Sequence, residues 1–94
     1  MGYRKRVDAN QADIVAALRR SGWYVHDTSR IGGGFPDLVC ARAGRIILVE
    51  VKDGDKPLSQ QALTPAEARL RTAFTLAGVM IHLVRSVEDA LALG

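Results

Sequence analysis

The sequence predicts an α/β domain, a small mixed β-sheet flanked by helices in the order α-β-β-β-α-β-α. Three observations carry this. Apolar residues recur at helical spacing before Gly22 and again after Thr64, four short runs of branched and aliphatic residues separate and follow those stretches, and glycines mark most of the junctions. A chain of 94 residues makes one domain, 1–94, that buries about two-thirds of its unfolded surface. Packing helices on the faces of a sheet is the simplest way for such elements to hide their apolar sides.

The first helix is expected over residues 8–21. Asp8 is suited to the N-cap, and Gln11, Ile14, Val15 and Leu18 fall on one face before Gly22 ends the element. Residues 23–27, WYVHD, read as a short strand, and TSRIGGG as a loop whose three glycines permit close backbone approach or positive φ. Strands over 36–42 and 45–52 follow, joined at Ala43-Gly44. DGDKPLSQQAL is a polar loop. Thr64-Pro65-Ala66-Glu67 then starts a second helix with Thr as N-cap, Pro at its first position and Glu closing a capping box. Ala66, Leu70, Ala73, Phe74 and Ala77 form its apolar stripe, and Gly78 stops it. VMIHLV, 79–84, is the last strand, and a short helix capped by Ser86 closes the chain.

Composition excludes several classes. Cys40 is the only cysteine and the two histidines lie far apart, so disulfide, zinc and thiol chemistry are poor fits and Cys40 reads as a small core residue. No apolar stretch approaches the ~20 residues of a membrane span, and none follows the N-terminal charges, so a cytoplasmic protein is expected. Thirteen Lys and Arg against ten Asp and Glu give a net +3, with Arg4, Lys5, Arg6, Arg19, Arg20 and Arg30 gathered in the first thirty residues. That end permits contact with nucleic acid and equally suits a solvated surface.

Charges inside the two central strands need a separate reason. With a two-residue turn, Arg42 faces Arg45, and counting back places Asp37 opposite Glu50, on one face with Lys52, Val39 and Leu48. Opposed carboxylates repel unless a cation or a raised pKa relieves them. Magnesium takes one or two carboxylates together with water and phosphate oxygens, and a neighbouring lysine can serve the water that attacks a phosphodiester. The bland alternative is a solvent-facing hairpin end. Glu-x-Lys alone is weak, but a glycine-rich loop, Pro-Asp, strand, turn, strand and Glu-x-Lys together are specific.

Pro36-Asp37 followed by Glu50-Val51-Lys52, after a helix and a glycine-rich loop, resembles the PD-(D/E)xK nuclease superfamily with its restriction-endonuclease-like core. More narrowly the chain is similar to the small stand-alone VRR-NUC domains of phages and bacteria, near the Holliday junction resolvases. The resemblance implies a metal-dependent, structure-specific DNA endonuclease for branched substrates such as four-way junctions or flaps, working as a homodimer. It implies that Asp37, Glu50 and the Val51 carbonyl hold Mg²⁺ or Mn²⁺ and that Lys52 positions the attacking water.

The family commonly has an acid on the first helix where this chain has Gln11. Two readings stand for Gln11: an uncharged helper at the metal, or the N3 partner of Asp8 in a capping box. Asp13 is a solvated first-turn acid. Glu67 stands where related domains often carry Gln, either as a helix cap or as a supporting contact to the site. Trp23 and Tyr24 are packing residues or base-stacking platforms, and His26 is a loop-side surface residue or a phosphate contact. Arg4, Lys5, Arg6, Arg19, Arg20, Arg30 and Lys56 are the candidate phosphate contacts. Loss of the helix acid leaves one rival from another class, a catalytically silent module that keeps the fold and binds nucleic acid or partners.

Overall fold

Helix α1 (Ala9–Arg20) lies across a four-stranded sheet in the computed structural model, which describes residues 9–93. Its Ile14, Ala17 and Leu18 are fully buried, at the helical spacing the sequence displays. Gly22, at φ 93°, turns the chain after it in a conformation that costs glycine little. Asp8, expected to cap α1, lies outside the described residues, as do Arg4, Lys5 and Arg6.

The sheet runs β1 (Tyr24–Asp27), β2 (Leu38–Arg42), β3 (Arg45–Val51) and β4 (Ile81–Val84), in that spatial order. The β1/β2 and β2/β3 pairs are antiparallel, and β4 joins β3 in parallel. A parallel neighbour needs a crossover, which α2 (Leu58–Gln61) and α3 (Pro65–Leu76) provide. Helix α4 (Val87–Leu91), with Ser86 accepting from the Asp89 N–H, packs beside α1.

One sheet face, bearing Leu38, Cys40, Ile47, Val49 and Val51, meets α1 together with Trp23, Val25, Val84 and Ala90 to form the core. Burial pushes the Cys40 thiol up to about 11, so it is an unreactive packing residue, as its setting in the sequence suggests. The other face is covered only near β4, where α3 leans over Ile81.

The expected architecture holds, with two local differences. The polar segment after Lys52 contains the short helix α2, held by the buried Gln61 side chain, which donates to the Gly54 and Lys56 carbonyls and accepts from Arg85 Nε. The capping box of α3 is formed in full. However, only Ala66, Leu70 and Phe74 of its expected stripe are half-buried, while Ala73 and Ala77 are exposed because the helix outruns the four-residue strand beneath it.

Candidate active site

The hairpin register decides what the charges meet. Leu38 pairs with Val49 and Arg42 with Arg45, so Asp37 stands opposite Glu50 one step beyond the ladder. Ala43 and Gly44, at φ 50° and 78°, make the tight turn that sets this register. The Val51 N–H donates to Asp37 Oδ2 at 2.9 Å, fixing the first carboxylate against β3. Behind it, the Asp37 carbonyl accepts from the Thr28 N–H at 2.7 Å and Thr28 Oγ1 donates to the Pro36 carbonyl at 2.7 Å, pinning the loop to the start of β2.

Glu50 projects from the sheet face opposite the core yet is only 4% exposed, because α3 covers it. Lys52 Nζ lies 2.9 Å from Glu67 Oε1 and 3.8 Å from Glu50 Oε2. Two carboxyl groups thus share one ammonium, with Asp37 held against the β3 backbone close by. Burial, the shared hydrogen bond with Glu67, and the negative charges of Asp37 and Glu67 push Glu50 up to about 9 against the pull of Lys52. Burial also raises Asp37, although the Val51 N–H opposes it. Burial would raise Glu67 too, but the Thr64 N–H, the Lys52 ammonium and the Glu50 carboxyl outweigh it and hold Glu67 below the usual range.

Helix α3 is placed by the glycine-rich loop. Gly34, at φ 83°, presses so closely on the first turn of α3 that a Cβ would collide with the backbone of Ala66 and Glu67. Gly34→Ala is therefore expected to displace α3 and lower stability by about 2 kcal/mol or more, read as a fall in Tm with a concurrent loss of any activity that needs Glu50 and Lys52 in place.

The lower end of the site is braced by a residue the sequence reading passed over. Asn10 Nδ2 donates to the Lys52 carbonyl at 2.8 Å and to the Arg85 carbonyl at 3.3 Å, while the Lys52 N–H donates to Val84. Asn10 is four residues before Ile14 and seven before Ala17, so its face was available from periodicity. Gln11 faces elsewhere: its Nε2 donates to Asp27 Oδ2 at 3.3 Å and it has no hydrogen bond to Asp37, Glu50 or Lys52. Arg71, one turn beyond Glu67, lines the cleft under α3 with Gly34, Pro36, Glu50 and Leu83 and was also missed; an i, i+4 relation to Glu67 was its signal.

The other basic candidates are dispersed. Arg30 is exposed in the glycine-rich loop leading to Asp37, and Lys56 in the segment that follows Lys52. Arg19 and Arg20 are on the last turn of α1, at the hairpin end, where Arg42 donates to the Ser21 carbonyl. Trp23 is 3% exposed beneath the Arg42 and Arg45 guanidinium groups, 4.5 and 5.6 Å from its ring centre, and so is a packing residue. Tyr24 and His26 are exposed on the opposite face.

Among the described residues, no group of three His, Cys, Asp or Glu side chains is arranged as a ready-made ion cage. The donor chemistry nevertheless fits a hard divalent cation completed by water and substrate oxygens. Asp37, Glu50 and Glu67 against Lys52 set more acid than base on oxygen donors at a partly buried point, and the proton that burial and the neighbouring acids keep on Glu50 is one a dication would displace. Among the described residues no helix is long and apolar enough to cross a membrane.

No family model and no curated protein matches the chain. One solved structure, described as a VRR_NUC domain, is similar over 88% of this chain and 87% of its own, at 29% identity and a TM-score of 0.66. With that likeness covering nearly all of its length, and Pro-Asp and Glu-x-Lys facing each other across its central hairpin, the chain has the fold of a VRR-NUC domain.

Proposed function

We propose that the protein is a Mg²⁺- or Mn²⁺-dependent endonuclease that hydrolyses phosphodiester bonds in branched DNA, with four-way junctions and flaps as the preferred class. The observation that carries this is the Asp37–Glu50 pair across the hairpin with the Lys52 ammonium beside it. Asp37 and Glu50, with the Val51 carbonyl, would hold the ion, whose chemistry when bound is to neutralise the pair and stabilise charge on the scissile phosphate. Asp37 is oriented by the Val51 N–H, so one ligand is preset by the backbone rather than by a mobile rotamer. Lys52 brings an ammonium donor to the water that attacks phosphorus. Arg71 at the cleft and Arg30 and Lys56 on the flanking loops supply cations for the DNA backbone, and Arg4, Lys5 and Arg6, outside the described residues, stay candidates on their charge alone.

Nothing in the site is suited to reading base edges, which favours recognition of shape. A homodimer suits a symmetric junction, because one site cannot cut two strands symmetrically. The uncovered sheet face is suited to a second copy: Tyr24, Ala41 and Ile46 form one cross-strand row and His26, Val39 and Leu48 the next, without a formally charged group. Tyr24 and Ile46 are 68% and 73% exposed, and an uncharged patch is a poor partner for phosphates but a good isologous surface. Ile46→Asp is expected to convert a dimer to monomer in sedimentation or light scattering without lowering Tm by more than a few degrees. An unchanged dimer would place the interface elsewhere.

The rival reading, a silent binding module, is favoured by one observation: Gln11 spends its amide on Asp27, so α1 brings no carboxylate to the acid pair. Labelled four-way junction, flap and linear duplex DNA, with an RNA duplex alongside, incubated in Mg²⁺, Mn²⁺ or EDTA, separate the two. Metal-dependent cutting that prefers a branched substrate is the expected outcome. Binding without cutting under every condition supports the silent module.

A further inference from the structure

We infer that Glu67 is a positioning residue for Lys52, using one carboxylate oxygen to join the cap of α3 to the lysine at the acid pair. The inference rests on the nuclease reading for its purpose, but its geometry stands independently. Glu67 Oε1 accepts from the Thr64 N–H at 2.9 Å and from Lys52 Nζ at 2.9 Å, so the oxygen that closes the capping box is also the one that holds the ammonium. Glu50 Oε2, at 3.8 Å, lies beyond hydrogen-bond distance. Lys52 is therefore anchored from α3 and not from its own strand.

A four-carbon ammonium side chain has many rotamers, and holding one of them costs entropy that some partner must offset. A carboxylate on an ordinary solvated helix would move with the helix. Here the first turn of α3 is fixed twice, by the capping box and by the contact with Gly34 that leaves no space for a Cβ. The brace passes from the glycine-rich loop to α3, from α3 to Glu67, and from Glu67 to Lys52. Asn10 fixes the backbone of the same lysine from α1. Both ends of Lys52 are thus held by helices outside the hairpin, leaving the ammonium beside Glu50 with little freedom.

A cap alone would give Glu67 a purely structural role, and the two roles can be separated. Thr64→Ala removes the hydroxyl that accepts from the Glu67 N–H but keeps the backbone Thr64 N–H on Glu67 Oε1. It should lower Tm by about 4–8 °C while leaving Lys52 held. Glu67→Gln retains a capping-box side chain and an oxygen for the ammonium. Glu67→Ala retains neither.

The direct readout is the Lys52 Nζ–H resonance of the metal-free protein by ¹H–¹⁵N NMR, assigned with Lys52→Arg, alongside kcat and KM on the cleaved DNA. The inference predicts a resolved, slowly exchanging Lys52 signal in wild type, Thr64→Ala and Glu67→Gln, and its loss in Glu67→Ala. It also predicts that Glu67→Ala lowers kcat by roughly 100-fold with KM within about threefold, the size expected for a mispositioned group, whereas Thr64→Ala stays within about threefold in kcat. A Lys52 signal unchanged in Glu67→Ala, or equal losses of kcat in Thr64→Ala and Glu67→Ala, would overturn it. If wild type cuts no substrate, the nuclease reading fails, and the NMR comparison still decides whether Glu67 holds Lys52.

Discussion

Lys52→Ala is expected to reduce DNA cleavage by roughly 10²–10⁴-fold while leaving divalent-ion binding intact or tighter. The direction follows from the charges. Lys52 is the one ammonium among Asp37, Glu50 and Glu67, so its removal makes the cluster more negative and more attractive to a dication. On the proposed mechanism the loss is of the donor that would serve the reacting water, which should fall on kcat and not on KM. Asp37→Ala should lose both ion binding and cutting, because it removes the carboxylate that the Val51 N–H presets. Cleavage assays paired with calorimetric ion titration check the contrast. A Lys52→Ala protein that cuts normally would remove the lysine from the mechanism.

Glu50→Gln is expected to stabilise the metal-free fold above neutral pH by roughly 2–4 kcal/mol, a rise in Tm of about 10 °C or more, while abolishing cleavage. Glu50 is faced by Asp37, Glu67 and Lys52, with Arg71 along the cleft. Its folded pKa, about 9, lies above the ordinary 4.5. Below pH 4.5 both folded and unfolded chains carry the proton and no penalty exists. Between about 4.5 and 9 the unfolded chain loses the proton while the folded chain keeps it, so wild-type stability falls as pH rises. Above about 9 the full penalty is present. Asp37, also raised, adds a loss of the same sign. Glu67, lowered, acts in the opposite sense, its contribution lost only as pH falls through the acid range. A Gln amide keeps a donor for Glu67 without a titrating proton, so the variant's stability should vary far less with pH across this window. Thermal melts from pH 5 to 9 test this, and parallel curves for the two proteins would contradict the assigned origin of the strain.

Much of the site was legible because strand geometry has a period of two. Once Ala43-Gly44 was recognised as a two-residue turn, Asp37 and Glu50 had to face each other, and the register confirms the count. The cap of α3 was legible for a similar reason, since Thr64, Pro65 and Glu67 each satisfy a local rule. Helical phase was harder to read. Neighbours on a helix differ by about 100°, and Asn10 rather than Gln11 is the residue turned toward Lys52.

Long-range geometry was not legible. Three glycines announced a close approach, but not that Gly34 would meet Ala66 and Glu67, thirty-odd residues away. Helix α2 has four residues and no periodicity, and what holds it is Gln61 bonding back to Gly54 and Lys56 and across to Arg85. For Glu67 the sequence left a cap and a supporting contact to the site as alternatives; in the fold one oxygen serves both.

The claim at the centre of this account is that a divalent ion reconciles the opposed acids of the hairpin. Calorimetric titration of Mg²⁺ and Mn²⁺ at pH 8 into wild type and Glu50→Gln, in two buffers of different ionisation enthalpy, tests it most directly. Saturable binding to wild type with release of protons, and its loss in Glu50→Gln, is the predicted result. Absence of saturable binding to the folded wild type, or equal binding to both proteins with no proton released, would contradict it.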